Sequence, residues 1–347
     1  MRLAYLTDQL LPQTATDTEQ MMSMIGGFEA AGADVTLVKP GHWFDAEPGR
    51  DAIADYYQIA PTFDVAAVWS VYPNIRGIEK VAQGLVAPRH PAARRADVLY
   101  TRTLPILLGA LLVGTCPVVY ETYRPWPRQQ PWSAPIFREI ARHPRFLGAV
   151  LHSDLARQSY VDAGVDPDRL LTAHNGYDPE RLRPRLSRET ARERCDLPDR
   201  PTVTYAGRVT MEKGLGLLLD DTVPYLHAAD VLLIPPPSTK PLKEVGNTVL
   251  PMKTYLYMAA GRAILALASP DLQELLRDDE NAALVPPDAP DAAIRRLRTL
   301  LDHPDQRDRL GRAARSDIEN NTWPRRAERI LHFVQQRNAS DGQPALG

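Results

Sequence analysis

The chain has 347 residues, 44% of them hydrophobic, which is enough for two ordinary domains with full cores. Its formal net charge is −2, so bulk charge gives no support to nucleic-acid binding. Two cysteines, Cys116 and Cys195, make no disulfide framework and fit a reduced, cytosolic protein.

The opening MRLAYLTDQL is a short apolar run broken at Asp8, too short for the apolar region of a secretory signal. Residues 2–7 instead suit a first strand. Residues 18–31 suit a helix ended by Gly32, and DVTLV at 34–38 suits a second strand. Short branched runs follow at 64–69, 97–100, 117–120 and 148–151. Such runs are buried on both faces of a parallel sheet. The first domain is therefore α/β, spanning 1–184.

Residues 185–200 are charged and proline-bounded and read as a linker. PTVTYAG at 201–207 opens a second α/β domain, placed at 201–320, with further strands at 230–235, 263–268 and 282–286. A loop enters a helix over 248–261, which Gly261 ends. Further helices are expected at 289–302 and 323–337, with a frayed tail at 338–347. The predicted class is α/β, with two Rossmann-like domains facing a cleft. Ligands are sought at the carboxyl ends of the strands. No stretch reaches about 18 apolar residues, which argues against a membrane span and leaves peripheral contact open.

Four stretches carry candidate chemistry. Gly207 and Arg208 end the strand at 202–206, and Lys213 and Gly214 begin the following helix. A helix start presents free N–H groups, Arg a planar fork and Lys a point charge, so a diphosphate suits the place. The bland reading is a solvated charge pair at a turn. In NTVLPMK, Thr248, the amides near Leu250–Met252, and Lys253 face the same task; alternatively this is a helix start with Pro251 in its first turn. HNGYD at 174–178 offers Asn175 and a turn near the domain boundary, where His174 and Asp178 are equally explained by structure. ETYRPWPRQQPW at 121–132 follows a strand directly and carries Glu121, Tyr123, Arg124 and two tryptophans. It suits sugars or lipid headgroups, or is a proline-stiffened surface loop.

The order of YTR (100–102), HNGYDPERLRP (174–184), YAGRVTMEKGLGLLL (205–219), VPYLHAADVLLIP (223–235), LPMKTYLYMAAGRAILA (250–266), ENAALVPPDAPDA (280–292) and NTWPRRAERI (321–330) resembles the GT-B fold glycosyltransferases, close to retaining family 4. The resemblance implies sugar transfer from a nucleotide diphosphate sugar with retention of configuration. It implies that Arg208 and Lys213 hold the diphosphate and stabilise the leaving group, with no metal strictly required. The donor site would comprise Gly207, Arg208, Lys213, Thr248, Leu250, Pro251 and Lys253. The acceptor would bind the first domain through Gln13, Thr14, Glu121, Tyr123, Arg124 and Asn175.

Three departures stand out. Leu256 occupies the place of the family's usual ribose-binding Glu. Tyr123 stands where a His is usual, and a phenol titrating near 10 is a poor acid–base group at neutral pH. After LLLD at 217–220 the family's usual ~50 further residues are absent, so the second domain lacks about two strands. With the order 3-2-1-4-5-6, that loss leaves 1-4-5-6 contiguous and strand 202–206 at an edge, to be covered by a helix or a second copy. An inactive binding or regulatory relative is the alternative reading, and a nucleotide-sugar epimerase a third.

Overall fold

Arg2–Leu6 (β1) is a strand with four consecutive buried residues. It is central because both flanks are occupied: Leu6 lies level with Val38 on one side and Thr101 on the other. The structure, a computed structural model, describes residues 1–41, 47–70, 77–206, 222–235 and 250–340. It divides into two units, one of residues 1–175 with 323 onward, the other of residues 176–322.

The first unit holds a seven-stranded parallel sheet. Its strands are β1, Asp34–Pro40 (β2), Asp64–Val68 (β3), Val98–Thr101 (β4), Val118–Thr122 (β5), Phe146–Leu151 (β6) and Leu170–Thr172 (β7). Their order is β3-β2-β1-β4-β5-β6-β7. Every residue of β4, β5 and β6 is buried, as expected of strands covered on both faces. β7 is an additional strand; at three residues its apolar run is too short to stand out. The chain order reverses between β1 and β4, which is where open α/β sheets bind ligands.

Among the described residues, eight α-helices connect these strands: Thr16–Ala30 (α1), Arg50–Tyr57 (α2), Ile78–Val86 (α3), Pro91–Arg95 (α4), Leu104–Val113 (α5), Trp126–Gln129 (α6), Ala134–Arg142 (α7) and Asp154–Asp162 (α8). Gly32 lies just beyond α1 with φ +84, in the left-handed region that favours glycine. Ser153 caps α8 by accepting from the Ala156 amide at 3.1 Å. The C-terminal helix Trp323–Ser340 belongs to this unit, packing on α1 and β6. It passes so close to α1 that a Cβ on Gly27 would lie 2.7 Å from the Trp323 carbonyl oxygen.

In the second unit the described strands are Val203–Thr204 (β8), Val231–Ile234 (β9), Ala263–Leu267 (β10) and Ala283–Val285 (β11). All pairs are parallel, in the order β11-β10-β9-β8. This is the contiguous remnant expected after loss of two strands, and among the described residues β8 pairs with β9 alone. β8 is shorter than the run at 201–207 suggested. The helix Met252–Ala260 ends at Gly261 with φ +70, as expected. The helix Pro304–Ile318 is an additional one. At the amino ends of the strands, the buried Asp230 carboxylate accepts from Arg188 at 2.9 Å, Arg192 at 2.6 Å and the Thr202 amide at 2.8 Å. These bonds tie the linker helix Arg188–Arg194 to the sheet.

Candidate functional site

The carboxyl ends of β1, β4 and β5 open into a cavity of about 460 Å³ in the first unit. Thr7 and Arg102 lie just beyond the ends of β1 and β4, Thr122 is the last residue of β5, and all three line the cavity. Its wall mixes acids (Asp8, Asp17), cations (Lys80, Arg102, Arg124), hydroxyls and aromatic rings. Asp8 is held in place, accepting from the Thr103 hydroxyl at 2.9 Å, with the Lys80 ammonium at 3.7 Å. Asp17 accepts from Gln9 at 2.8 Å.

Glu121, at the cavity floor, is buried among donors. Tyr100 donates its hydroxyl to Oε2 at 2.6 Å, while His152 Nε2 and Arg326 Nη2 approach Oε1 at 2.5 and 2.9 Å. Arg102 Nε lies 4.0 Å away. Burial alone would push this carboxyl up; the Arg326 and Arg102 guanidinium groups and the His152 hydrogen bond outweigh it and hold the group well below the usual carboxylate range. The carboxylate is therefore ionised and acceptor-only, which assigns the donated proton to His152 Nε2. Burial lowers the His152 pKa to about 4, so the imidazole is neutral at physiological pH, and its Nδ1 has no hydrogen-bond partner. Arg326 also donates to the carbonyls of Ala173 and His174, at 3.2 and 3.1 Å, binding the C-terminal helix to the end of β7. Tyr5 lines the same cavity and its fully buried hydroxyl has no partner.

The sequence-derived acceptor residues fall in different places. Glu121, Tyr123 and Arg124 all line the cavity. Tyr123 lies 6.2 Å from the His152 ring, and the Arg124 guanidinium sits over the Tyr123 and Trp126 rings at 5.4 and 5.2 Å. Trp126 donates to Tyr120 at 3.2 Å, so this segment is fixed by side-chain bonds as well as by its prolines. Gln13 exchanges bonds with the Tyr57 hydroxyl through its backbone and reaches Gln9 with its side chain. Thr14 is exposed and Asn175 buried, and neither lines the cavity. His152 and Arg326 had no role in the sequence reading. Arg326 lay inside a quoted stretch, NTWPRRAERI, but its partner Glu121 is 205 residues away.

In the second unit, Gly207, Arg208, Lys213 and Thr248 lie outside the described residues. Leu250 is buried in the core and Pro251 immediately precedes the helix Met252–Ala260. Lys253, in that helix's first turn, places its ammonium 4.0 Å from the Tyr205 ring centroid. Tyr257 of the same helix accepts from the Ala206 amide at 2.6 Å and donates to its carbonyl at 3.1 Å. The chain leaving β8 is thereby pinned beside the helix as it enters Gly207. Leu256 packs against the apolar core of the unit.

A family model described as glycosyl transferase-like matches residues 220–332. Among solved structures, a glycosyltransferase from Rickettsia africae ESF-5 is 11% identical with a TM-score of 0.69, covering 97% of this chain and 98% of that one. Sucrose-phosphate synthase from Thermosynechococcus elongatus is 15% identical with a TM-score of 0.69, covering 98% and 99%. Anabaena HepE in complex with UDP and glucose is 13% identical with a TM-score of 0.66, covering 97% and 100%. At such identities the likeness establishes the fold, that of the GT-B glycosyltransferases. No curated protein sequence matches the chain.

Proposed function

We propose that this chain is a retaining glycosyltransferase that moves a hexose from a nucleotide diphosphate sugar to an acceptor held in the first unit. The observation that carries the reading is the cavity at the β1/β4 switch point. Its paired acids, cations, hydroxyls and aromatic rings match the needs of a ligand rich in hydroxyl groups, and the same chain bears a glycosyl transferase-like second unit. HepE's structures with UDP, and with UDP and glucose, favour a nucleotide-sugar donor.

In this reading Arg208 and Lys213 hold the donor diphosphate and stabilise its developing charge without requiring a metal. Lys253, Pro251, Leu250 and Thr248 complete that end of the site, with Gly207 allowing close approach. Support comes from the two residues before Gly207, since Tyr257 bonds to Ala206 and the Lys253 ammonium lies over the Tyr205 ring. Tyr123 and Arg124 contact the acceptor, with Gln13, Thr14 and Asn175 at its margin, and Glu121 fixes the floor beneath it. Cytoplasmic residence, and a second copy covering the β8 edge, belong to the same proposal.

A scan of nucleotide sugars for hydrolysis and transfer, with the product anomer assigned by NMR, tests the reading. Turnover with retained configuration is the expected result; an inverted product removes the mechanism. One observation favours an inactive binding relative instead. Leu256, partly buried against the core, stands where the resemblance places a ribose-binding carboxylate, so this position offers no acceptor to a ribose hydroxyl. Absence of turnover across a broad donor and acceptor matrix would select that reading.

A further inference from the structure

We infer that the helical face formed by α3 and α5 seats this chain on an anionic phospholipid surface. On α3, Ile78, Val81 and Leu85 are exposed at helical spacing along one stripe, and on α5 so are Leu108 and Leu112, the latter 75% exposed. The two helices touch backbone to backbone, since a Cβ on Gly109 would overlap the Gly84 carbonyl. Both stripes are solvent-exposed on these adjoining helices, and together they form the ridge. α7 buries its other side in the same core cluster as α5, and Ile136 on it and the nearby Trp132 are exposed. Four exposed large apolar side chains remain among the described residues. Trp69 shares a groove with Leu85 and Arg89 and so extends this face, whereas Tyr56, Val203 and Ile294 are scattered over separate elements. An apolar area of this extent marks a contact surface.

Charge decides the occupant. Residues 77–146 carry ten Lys and Arg against four Asp and Glu, although the whole chain has a formal charge of −2. Of those acids, Glu121 is buried among its cations, Asp97 is bound by Arg2, Glu139 by Arg142, and Glu79 is half-buried in the first turn of α3. Arg89 shares a groove with Leu85, and Arg94, Arg95 and Arg138 are exposed cations of the same region of the chain. A two-fold pairing of copies would bring this net positive set towards itself. A bilayer interface with anionic headgroups accepts both halves of the pattern, apolar side chains below and guanidinium groups at the phosphates. Lys80, Leu104 and Pro105, at the first turns of α3 and α5, line the cavity, so the face adjoins its rim. The inference stands whether or not the chain transfers a sugar.

The test is co-sedimentation of the full chain with phosphatidylcholine vesicles, with and without phosphatidylglycerol. We expect binding only when phosphatidylglycerol is present, weakened by salt. Val81→Glu with Leu112→Glu, and separately Arg94→Glu with Arg95→Glu, should each weaken it by about ten-fold or more. Both pairs are exposed, so circular dichroism and the melting temperature should be unchanged. Failure to bind phosphatidylglycerol vesicles, or binding indifferent to both double substitutions, overturns the inference. So does a dimer in sedimentation analysis that Leu112→Glu dissolves while the wild type ignores vesicles.

Discussion

His152 is buried as a neutral ring, with Nε2–H committed to Glu121 and two guanidinium groups close by. Its folded pKa, about 4, lies below the ordinary 6.5. The unfolded chain therefore binds a proton that the folded chain refuses between those values. Stability is full above pH 6.5 and declines as pH falls towards 4, by on the order of 3 kcal/mol. Glu121 acts separately and lower: its depressed folded pKa contributes stability above the usual carboxylate range, lost as pH falls beneath it. His152→Gln keeps an N–H donor without a titrating ring. Denaturant unfolding at stepped pH should show a flatter slope between pH 6.5 and 4 in this variant; an unchanged slope would remove His152 as its source. The proposed donor residues make a kinetic prediction at the same scale. A hydrogen bond to a charged group contributes roughly 1.5–3 kcal/mol, so Arg208→Ala or Lys213→Ala should slow transfer about ten-fold to a hundred-fold. The rate constant should suffer more than donor affinity if the contact tightens as the leaving group gains charge. The double variant should lose less than the sum of the two if both serve one diphosphate. Calorimetry with the nucleoside diphosphate, beside steady-state rates, measures both, and wild-type values in the folded double variant would end the assignment.

Among the elements, the α3–α5 crossing is the most exacting contact. Gly109→Ala would normally favour a helix by about 1 kcal/mol. Here the new methyl would meet the Gly84 carbonyl, and Gly84 in turn lies so near the start of α5 that a Cβ on it would meet the Pro105 carbonyl. Backbone must shift, so the net change should be destabilising, by about 1–3 kcal/mol. Gly49→Ala, with open space around it, is the control. Thermal melts compare the two, and a Gly109→Ala protein as stable as the control would contradict the crossing. The same crossing explains what sequence patterns convey and what they do not. Strands such as β4, β5 and β6 are legible because burial on both faces forces unbroken apolar runs. The helix Pro304–Ile318 is obscured because its buried side includes Arg307, whose guanidinium is spent on the Leu300 and Leu301 carbonyls. The cavity was legible in part, through the strand-end position of the Glu121–Arg124 stretch. His152 and Arg326 were not, since a polar residue at a strand end or on a helix declares its partner only when folding joins distant segments.

At the scale of the whole molecule, the C-terminal helix Trp323–Ser340 completes the first unit although it follows the second in sequence. It supplies a buried seam including Ala327, Ile330, Phe333 and Val334, and it supplies Arg326 to Glu121. Phe333 sits against β6 so closely that a Cβ on Gly148 would lie 2.5 Å from its ring. Ending the chain at Thr322 would expose the apolar surfaces of α1 and β6, at roughly 1.5–3 kcal/mol for each large side chain lost from the seam. It would also leave Glu121 buried without one of its cations, a loss of about 3–5 kcal/mol for a broken buried pair. Together these equal or exceed the ~5–15 kcal/mol net stability of a typical protein. The first unit of the truncated chain should therefore fail to fold, even though all seven strands of its sheet remain. Arg326→Met is the milder variant: it keeps the seam and removes only the cation, and should lower the melting temperature while preserving secondary structure. Circular dichroism and protease resistance of residues 1–322 against the full chain provide the measurement. A truncated protein with a native spectrum and a melting temperature within a few degrees of the full chain would show that the unit closes without its last helix.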